Sequence, residues 1–175
     1  MSSDKSKPKK KKDSWPIKVF FLAIGLSAVL SFFASTALEG TGYVVAITVL
    51  LVFIALGIIF DMIGVAVTAA DPKPFHSMAA HKEKGGREAI RLLQNAEKVS
   101  SICNDVVGDI CGVVSGSASA TIAALVLSSV DVGWPRGISL LMSALVAGLT
   151  VGGKAIGKNV AVKSCTSIVH MVGRI

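Results

Sequence analysis

Residues 17–69 read IKVFFLAIGLSAVLSFFASTALEGTGYVVAITVLLVFIALGIIFDMIGVAVTA, and only Lys18, Glu39 and Asp61 in that stretch carry formal charge. A helix needs ~20 predominantly apolar residues to cross a bilayer. The stretch is long enough for two crossings, and the one polar, turn-rich break is Glu39-Gly40-Thr41-Gly42. It therefore predicts two spans, 17–38 and 43–69, joined by a tight turn. The second exceeds the minimum length, so it tilts or projects beyond the hydrocarbon. Asp61 sits late in it, and an ionisable residue inside a span is a functional candidate by default.

The other half repeats the pattern. Spans are expected at 99–130 and 137–156, separated by the turn Asp131-Val132-Gly133-Trp134-Pro135-Arg136. With 52% apolar and 17% charged residues the chain departs from soluble domains in the direction of a membrane protein. The predicted fold is an all-α integral membrane protein with four transmembrane helices. Residues 15–175 form one transmembrane domain.

Between the second and third spans lies a polar link, 70–98. Asp71-Pro72-Lys73-Pro74 ends the second span, because each proline disfavours helix at the residue before it. The remainder reads as one or two short helices broken at Gly85-Gly86. Ala89, Ile90, Leu92, Leu93 and Ala96 form an apolar stripe flanked by Arg87, Arg91 and Lys98. Such an amphipathic segment lies on a leaflet or against the bundle. The tail, 157–175, mixes Lys158, Lys163, His170 and Arg174 with apolar residues and reads the same way.

Basic residues set the orientation. Lys5, Lys7, Lys9, Lys10, Lys11 and Lys12 crowd the N-terminal 14 residues, which read as a disordered tail. The link and the C-terminal tail hold most of the other Lys and Arg, and the two short turns hold only Arg136. The positive-inside rule places both termini and the link in the cytoplasm of a multi-pass plasma-membrane protein. A basic run directly before an apolar span points to anionic lipid headgroups as its partner, not to nucleic acid. The bilayer is the main solvent.

Several classes are excluded. No hydrolase elbow, phosphate loop, paired-His metal motif or Cys–His constellation is present, so an enzyme is not expected. The long polar link and intramembrane acids argue against a holin-like pore former. The first apolar stretch passes into a second, unlike a cleaved signal peptide. Cys103, Cys111 and Cys165 are odd in number and contain no CxxC pair, so they read as small buried residues.

The third span is unusual for its polar content. Asn104, Asp105 and Asp109 come early, followed by Ser115, Ser117, Ser119 and Thr121. The hydroxyls either line a polar cavity or bond back to their own helix. Gly108, Gly112 and Gly116 fall four apart, a small-residue ladder that suits close helix packing within a subunit or a homodimer seam.

The order Phe60-Asp61-Met62-Ile63-Gly64, Leu92-Leu93-Gln94-Asn95-Ala96-Glu97-Lys98, Asn104-Asp105, then Gly153-Lys154-Ala155-Ile156-Gly157-Lys158 resembles the transmembrane domain of the cyclin M/CorB–CorC magnesium transporters over residues 44–175. That family has Phe-Ser-x-x-Glu, a Leu-Leu-Glu-Asn-Pro-Glu-Arg type link, Gly-Asn-Asn and Gly-Glu-x-x-Pro-Lys at these places. Here the Ser is Asp61, its Glu is Gly64, the second Asn is Asp105, and the last motif's Glu and Pro are Lys154 and Gly157. The family's CBS nucleotide-binding domains have no counterpart in these residues. The resemblance implies magnesium, and possible cobalt, transport or homeostasis by a small homodimeric module. It assigns metal contact to Asp61, Asn104, Asp105 and the Gly153 carbonyl, with Asp109 adding a further carboxylate. Hard cations take oxygen ligands, and magnesium takes six.

Two charge accounts follow. In one, Asp61 and Asp105 replace the lost glutamate and the cation still binds. In the other, Lys154, with Lys158 one turn on, serves as charge partner to the acids and takes the cation's place. The chain is then a non-transporting membrane scaffold of the same fold. Unpaired charge at membrane depth costs about 2.5–3.5 kcal/mol on insertion scales, and a third account avoids that cost by placing Asp61 and Lys154 at the inner interface, in contact with headgroups and water.

Overall fold

The computed structural model describes residues 15–38, 42–129 and 135–175. The lysine-rich tail, the turn at 39–41 and the turn around Trp134 lie outside the described residues. Among the described residues the chain is helical with no strand. In chain order the helices are α1 (Trp15–Leu38), α2 (Tyr43–Ala69), α3 (Pro72–Ala80), α4 (Gly86–Gln94), α5 (Ala96–Ser101), α6 (Asp109–Ser129), α7 (Pro135–Lys163) and α8 (Cys165–Gly173), with a π-helical segment, Ile102–Gly108, joining α5 to α6. Four stretches are long and apolar enough to cross a membrane: Trp15–Leu38, Tyr43–Ala69, Ala96–Ser129 and Arg136–Lys163.

The bundle is organised around α2. Ala46, Leu50, Ile54, Gly57, Asp61 and Gly64 recur at three- and four-residue spacing and are all buried. One stripe of a 3.6-residue helix therefore faces α6, α7 and the π-helical segment together. Near Tyr43, the stripe packs against Ala118 and Ile122 of α6 and Val146 of α7. The Tyr43 hydroxyl donates to the Leu125 carbonyl at 2.8 Å and closes that end. The outer surfaces keep their apolar side chains exposed, as lipid contact requires. On α1 these include Phe20, Phe21, Phe32 and Phe33, and Ala34 is the one buried residue there.

At the opposite end α3, α4 and α8 form a helical cap. Asp71 starts it: its carboxylate accepts the Lys73 amide at 3.0 Å while Pro72 occupies the first helical position, where a missing N–H costs nothing. The prolines thus begin a helix as well as bar α2 from continuing. Gly85 has φ +91°, a conformation open to glycine, and sets the angle between α3 and α4. The stripe predicted on α4 packs inward: Ala89 is buried and Arg87 and Arg91 are exposed. Phe75, Val67, Ala89, Ala161 and Val169 make one core there, so the link and the tail pack against the bundle. Lys98 stands 5.4 Å over the Trp15 ring and ties the start of α1 to α5.

Two boundaries differ from the sequence expectation. The fourth helix does not end at 156 but continues to Lys163. Residues 157–163 contain no proline, and Gly157 is held against α2, so nothing stops the helix. The third long helix begins at Ala96, directly after the break at Asn95, and not at 99.

Candidate functional site

Polar groups collect where α2, the π-helical segment and α7 meet. Asp61 lies about 27 Å along α2 from Tyr43 at ~1.5 Å per residue, towards the end carrying the cap. Its position on the buried stripe forces its carboxylate inward, and it is 4% exposed. Its Oδ2 is fully enclosed and makes no hydrogen bond. The side chain nearest in charge is Lys158 of α7, whose Nζ stands 3.8 Å from Oδ2.

Asn104 belongs to the π-helical segment. Its Nδ2 donates to Ser100 Oγ at 3.3 Å, while its Oδ1 is enclosed without a hydrogen-bond partner. That oxygen rests on Gly64, one turn along α2 from Asp61, and a β-carbon at Gly64 would overlap it. Residues three apart on a helix have β-carbons ~5–6 Å apart. Two oxygen donors, one carboxylate and one amide, are thus brought to neighbouring levels of the same face.

Glycines make this approach possible. A β-carbon at Gly57 would stand 3.2 Å from Cys111 Cβ, one at Gly157 would stand 2.9 Å from Met62 Cγ, and one at Gly153 would overlap Ile58. These positions bring α6 and α7 close to α2 on both sides of Asp61. A β-carbon at Gly108 would stand 3.4 Å from Lys154 Nζ, so this glycine opens the π-helical backbone to the Lys154 ammonium.

The predicted site residues divide. Asp61, Asn104, Lys154 and Lys158 are drawn to one junction. Asp105 and Asp109 are both exposed, unlike the buried Asp61. Asn104 and Asp105 are adjacent in the π-helical segment, so with Asn104 against Gly64 the two side chains leave the helix in different directions. Gly153 lies within the unbroken α7, whose carbonyls serve the helix ladder. Of the two lysines expected as charge partners, Lys158 reaches Asp61, whereas Lys154 lies over Gly108. Among the described residues no group of three His, Cys, Asp or Glu gathers as a metal centre.

The glycine ladder also divides. Gly108 faces Lys154, but β-carbons at Gly112 and Gly116 would meet nothing within 4 Å. These two border a cleft of about 200 Å³ between α6 and α7. Of the hydroxyls, Ser115, Ser117 and Thr121 bond back to Cys111, Val114 and Ser117 carbonyls on their own helix. Ser119 Oγ is enclosed without a partner at that cleft.

Sequence reasoning missed Gly57, Gly64 and the π-helical segment. The spacing of Gly57, Asp61 and Gly64 on one helical face was the available signal, since small residues flanking an acid on a buried stripe bring other backbones to it. No protein-family model, curated protein or solved structure matches this chain.

Proposed function

We propose that this chain is a small CorB-like membrane module for divalent cations, magnesium first and cobalt alongside, acting in their transport or homeostasis. The single observation that carries the reading is the pair of enclosed oxygens, Asp61 Oδ2 and Asn104 Oδ1, neither of which has a hydrogen-bond donor. Buried polar groups in native proteins are almost always paired, so two orphaned acceptors set one helical turn apart along α2 call for a positive guest. Carboxylate and amide oxygens are hard donors suited to magnesium, which keeps several of its own waters. The π-helical turn supports the same reading, because such turns are frequent at functional sites.

In this reading the capped end faces the cytoplasm of the plasma membrane, both termini are cytoplasmic, and the cation enters from that side. The cleft at Gly112 and Gly116 is the seam of a homodimer. Asp105 and Asp109 do not ligate the ion and supply a negative field that raises its local concentration. The test is magnesium entry into vesicles holding the full chain and a magnesium-sensitive dye. Entry should be present for the wild type and lost in Asp61→Asn and Asn104→Ala. Wild-type rates in Asp61→Asn, or no entry above protein-free vesicles, would overturn it.

A second reading is favoured by the Lys158–Asp61 pair: a non-transporting scaffold in which a lysine permanently takes the cation's place, Lys158 in the role first assigned to Lys154. It predicts no flux in any variant and a fall in stability when the pair is broken.

A further inference from the structure

We propose that Lys158 is a tethered counter-cation, which holds Asp61 while no metal is bound and is displaced into water by an arriving divalent ion. The proposal rests on the cation-binding reading of Asp61 and deepens it by naming what sets the charge selectivity of the site. The pair is unequal. The Asp61 side chain is 5% exposed, whereas that of Lys158 is 53% exposed. Lysine reaches the carboxylate by its flexible stem and keeps its head half in water.

The contact is also loose. Hydrogen-bonded N–H to carboxylate pairs close to ~2.7–2.9 Å, and here the separation is 3.8 Å with no hydrogen bond on Oδ2. Withdrawal therefore breaks no hydrogen bond at Oδ2 and returns the ammonium to solvent. What withdrawal leaves behind is a buried carboxylate without compensation, which is strongly unfavourable. Lys158 consequently leaves only as another cation arrives.

That exchange discriminates by charge. A sodium or potassium ion brings the same single charge as the resident ammonium and must be desolvated as well, so it gains little by displacing it. A divalent ion brings twice the charge to Asp61 and repels the ammonium outward. Lys154 does not share this role, since its Nζ lies over Gly108.

The experiment is equilibrium magnesium binding to the full chain in lipid nanodiscs, in the wild type, Lys158→Met and Lys158→Arg. Lys158→Met should bind magnesium about tenfold more tightly or better, and sodium should now compete with it. Lys158→Arg should keep the charge selectivity but bind magnesium more weakly than the wild type, because a guanidinium fork can hydrogen-bond the carboxylate that the ammonium only faces. Magnesium binding in the wild type with unchanged affinity and selectivity in Lys158→Met would overturn the proposal while leaving the cation-binding reading intact. Absence of binding in both would overturn both. If Lys158→Met fails to fold, labelling of the wild-type Lys158 amine by an acylating reagent decides. Labelling should rise when magnesium is added, and be high and insensitive to magnesium in Asp61→Asn. Wild-type labelling that equals that of Asp61→Asn and ignores magnesium would overturn the proposal.

Discussion

Gly64→Ala separates the site from the fold. The added β-carbon would overlap the Asn104 carboxamide oxygen, which is the end of a flexible side chain and not backbone. The whole side chain must swing about χ1, since Cγ would also stand 2.8 Å from the added carbon. Rotation of ~30° off a rotamer costs about 0.5–1.5 kcal/mol. The 3.3 Å bond from Nδ2 to Ser100 is weakened as well, and a neutral side-chain bond contributes about 0.5–1.5 kcal/mol. Against this, alanine is favoured over glycine within a helix by about 0.5–1 kcal/mol. The net loss of stability should lie between about 0 and 2.5 kcal/mol, so the melting temperature in detergent should fall by at most about 10 °C at 2–4 °C per kcal/mol. Magnesium binding should suffer in the protein that remains folded, because an oxygen donor leaves the neighbourhood of Asp61. We expect at least a tenfold loss, equivalent to ~1.4 kcal/mol. Titration and thermal melting of the same sample give both numbers. Wild-type magnesium affinity in Gly64→Ala would refute the placement of Asn104 in the site.

Three further predictions concern the cap and the exposed acids. Phe75→Ala empties a fully buried position in the cap core and should destabilise the chain by about 3–5 kcal/mol, read as a lower unfolding midpoint in detergent. Gly86→Ala would place a β-carbon 2.9 Å from the Ala79 amide nitrogen, where backbone cannot yield. It should cost about 1–3 kcal/mol and increase proteolysis between α3 and α4. Asp105→Asn and Asp109→Asn should each leave magnesium affinity at high salt within about twofold, while slowing uptake at low salt where screening is weak. A complete loss of binding in either would bring that carboxylate back among the ligands.

The spans were legible because crossing hydrocarbon demands long apolar helices with their backbone satisfied internally. The expected bounds of the second span, 43–69, are those of α2. The break at Gly85-Gly86 was legible for a local reason, since Gly85 holds a positive φ. The end of α7 was not: lysines at 158 and 163 read as a surface tail, yet their stems let the helix run on to Lys163. Asp61 stood out as an acid within an apolar run, and its neighbour Asn104 followed from the resemblance. The π-helical segment was hidden, because i→i+5 bonding is decided by how α1 and α2 pack on that turn and leaves no mark in composition. For the same reason the outward turn of Asp105 and Asp109 was not readable. Lys154 and Lys158 lie four apart on one face, and the choice between them depended on the depth at which Gly153 and Gly157 set α7 against Ile58 and Met62.

The central claim is that Asp61, enclosed among helices, receives a divalent cation. Calorimetric titration of magnesium into the full chain in nanodiscs, beside Asp61→Asn prepared identically, tests it most directly. The account predicts saturable binding in the wild type and none in the variant, with both folded. Equal binding in the two proteins would contradict it.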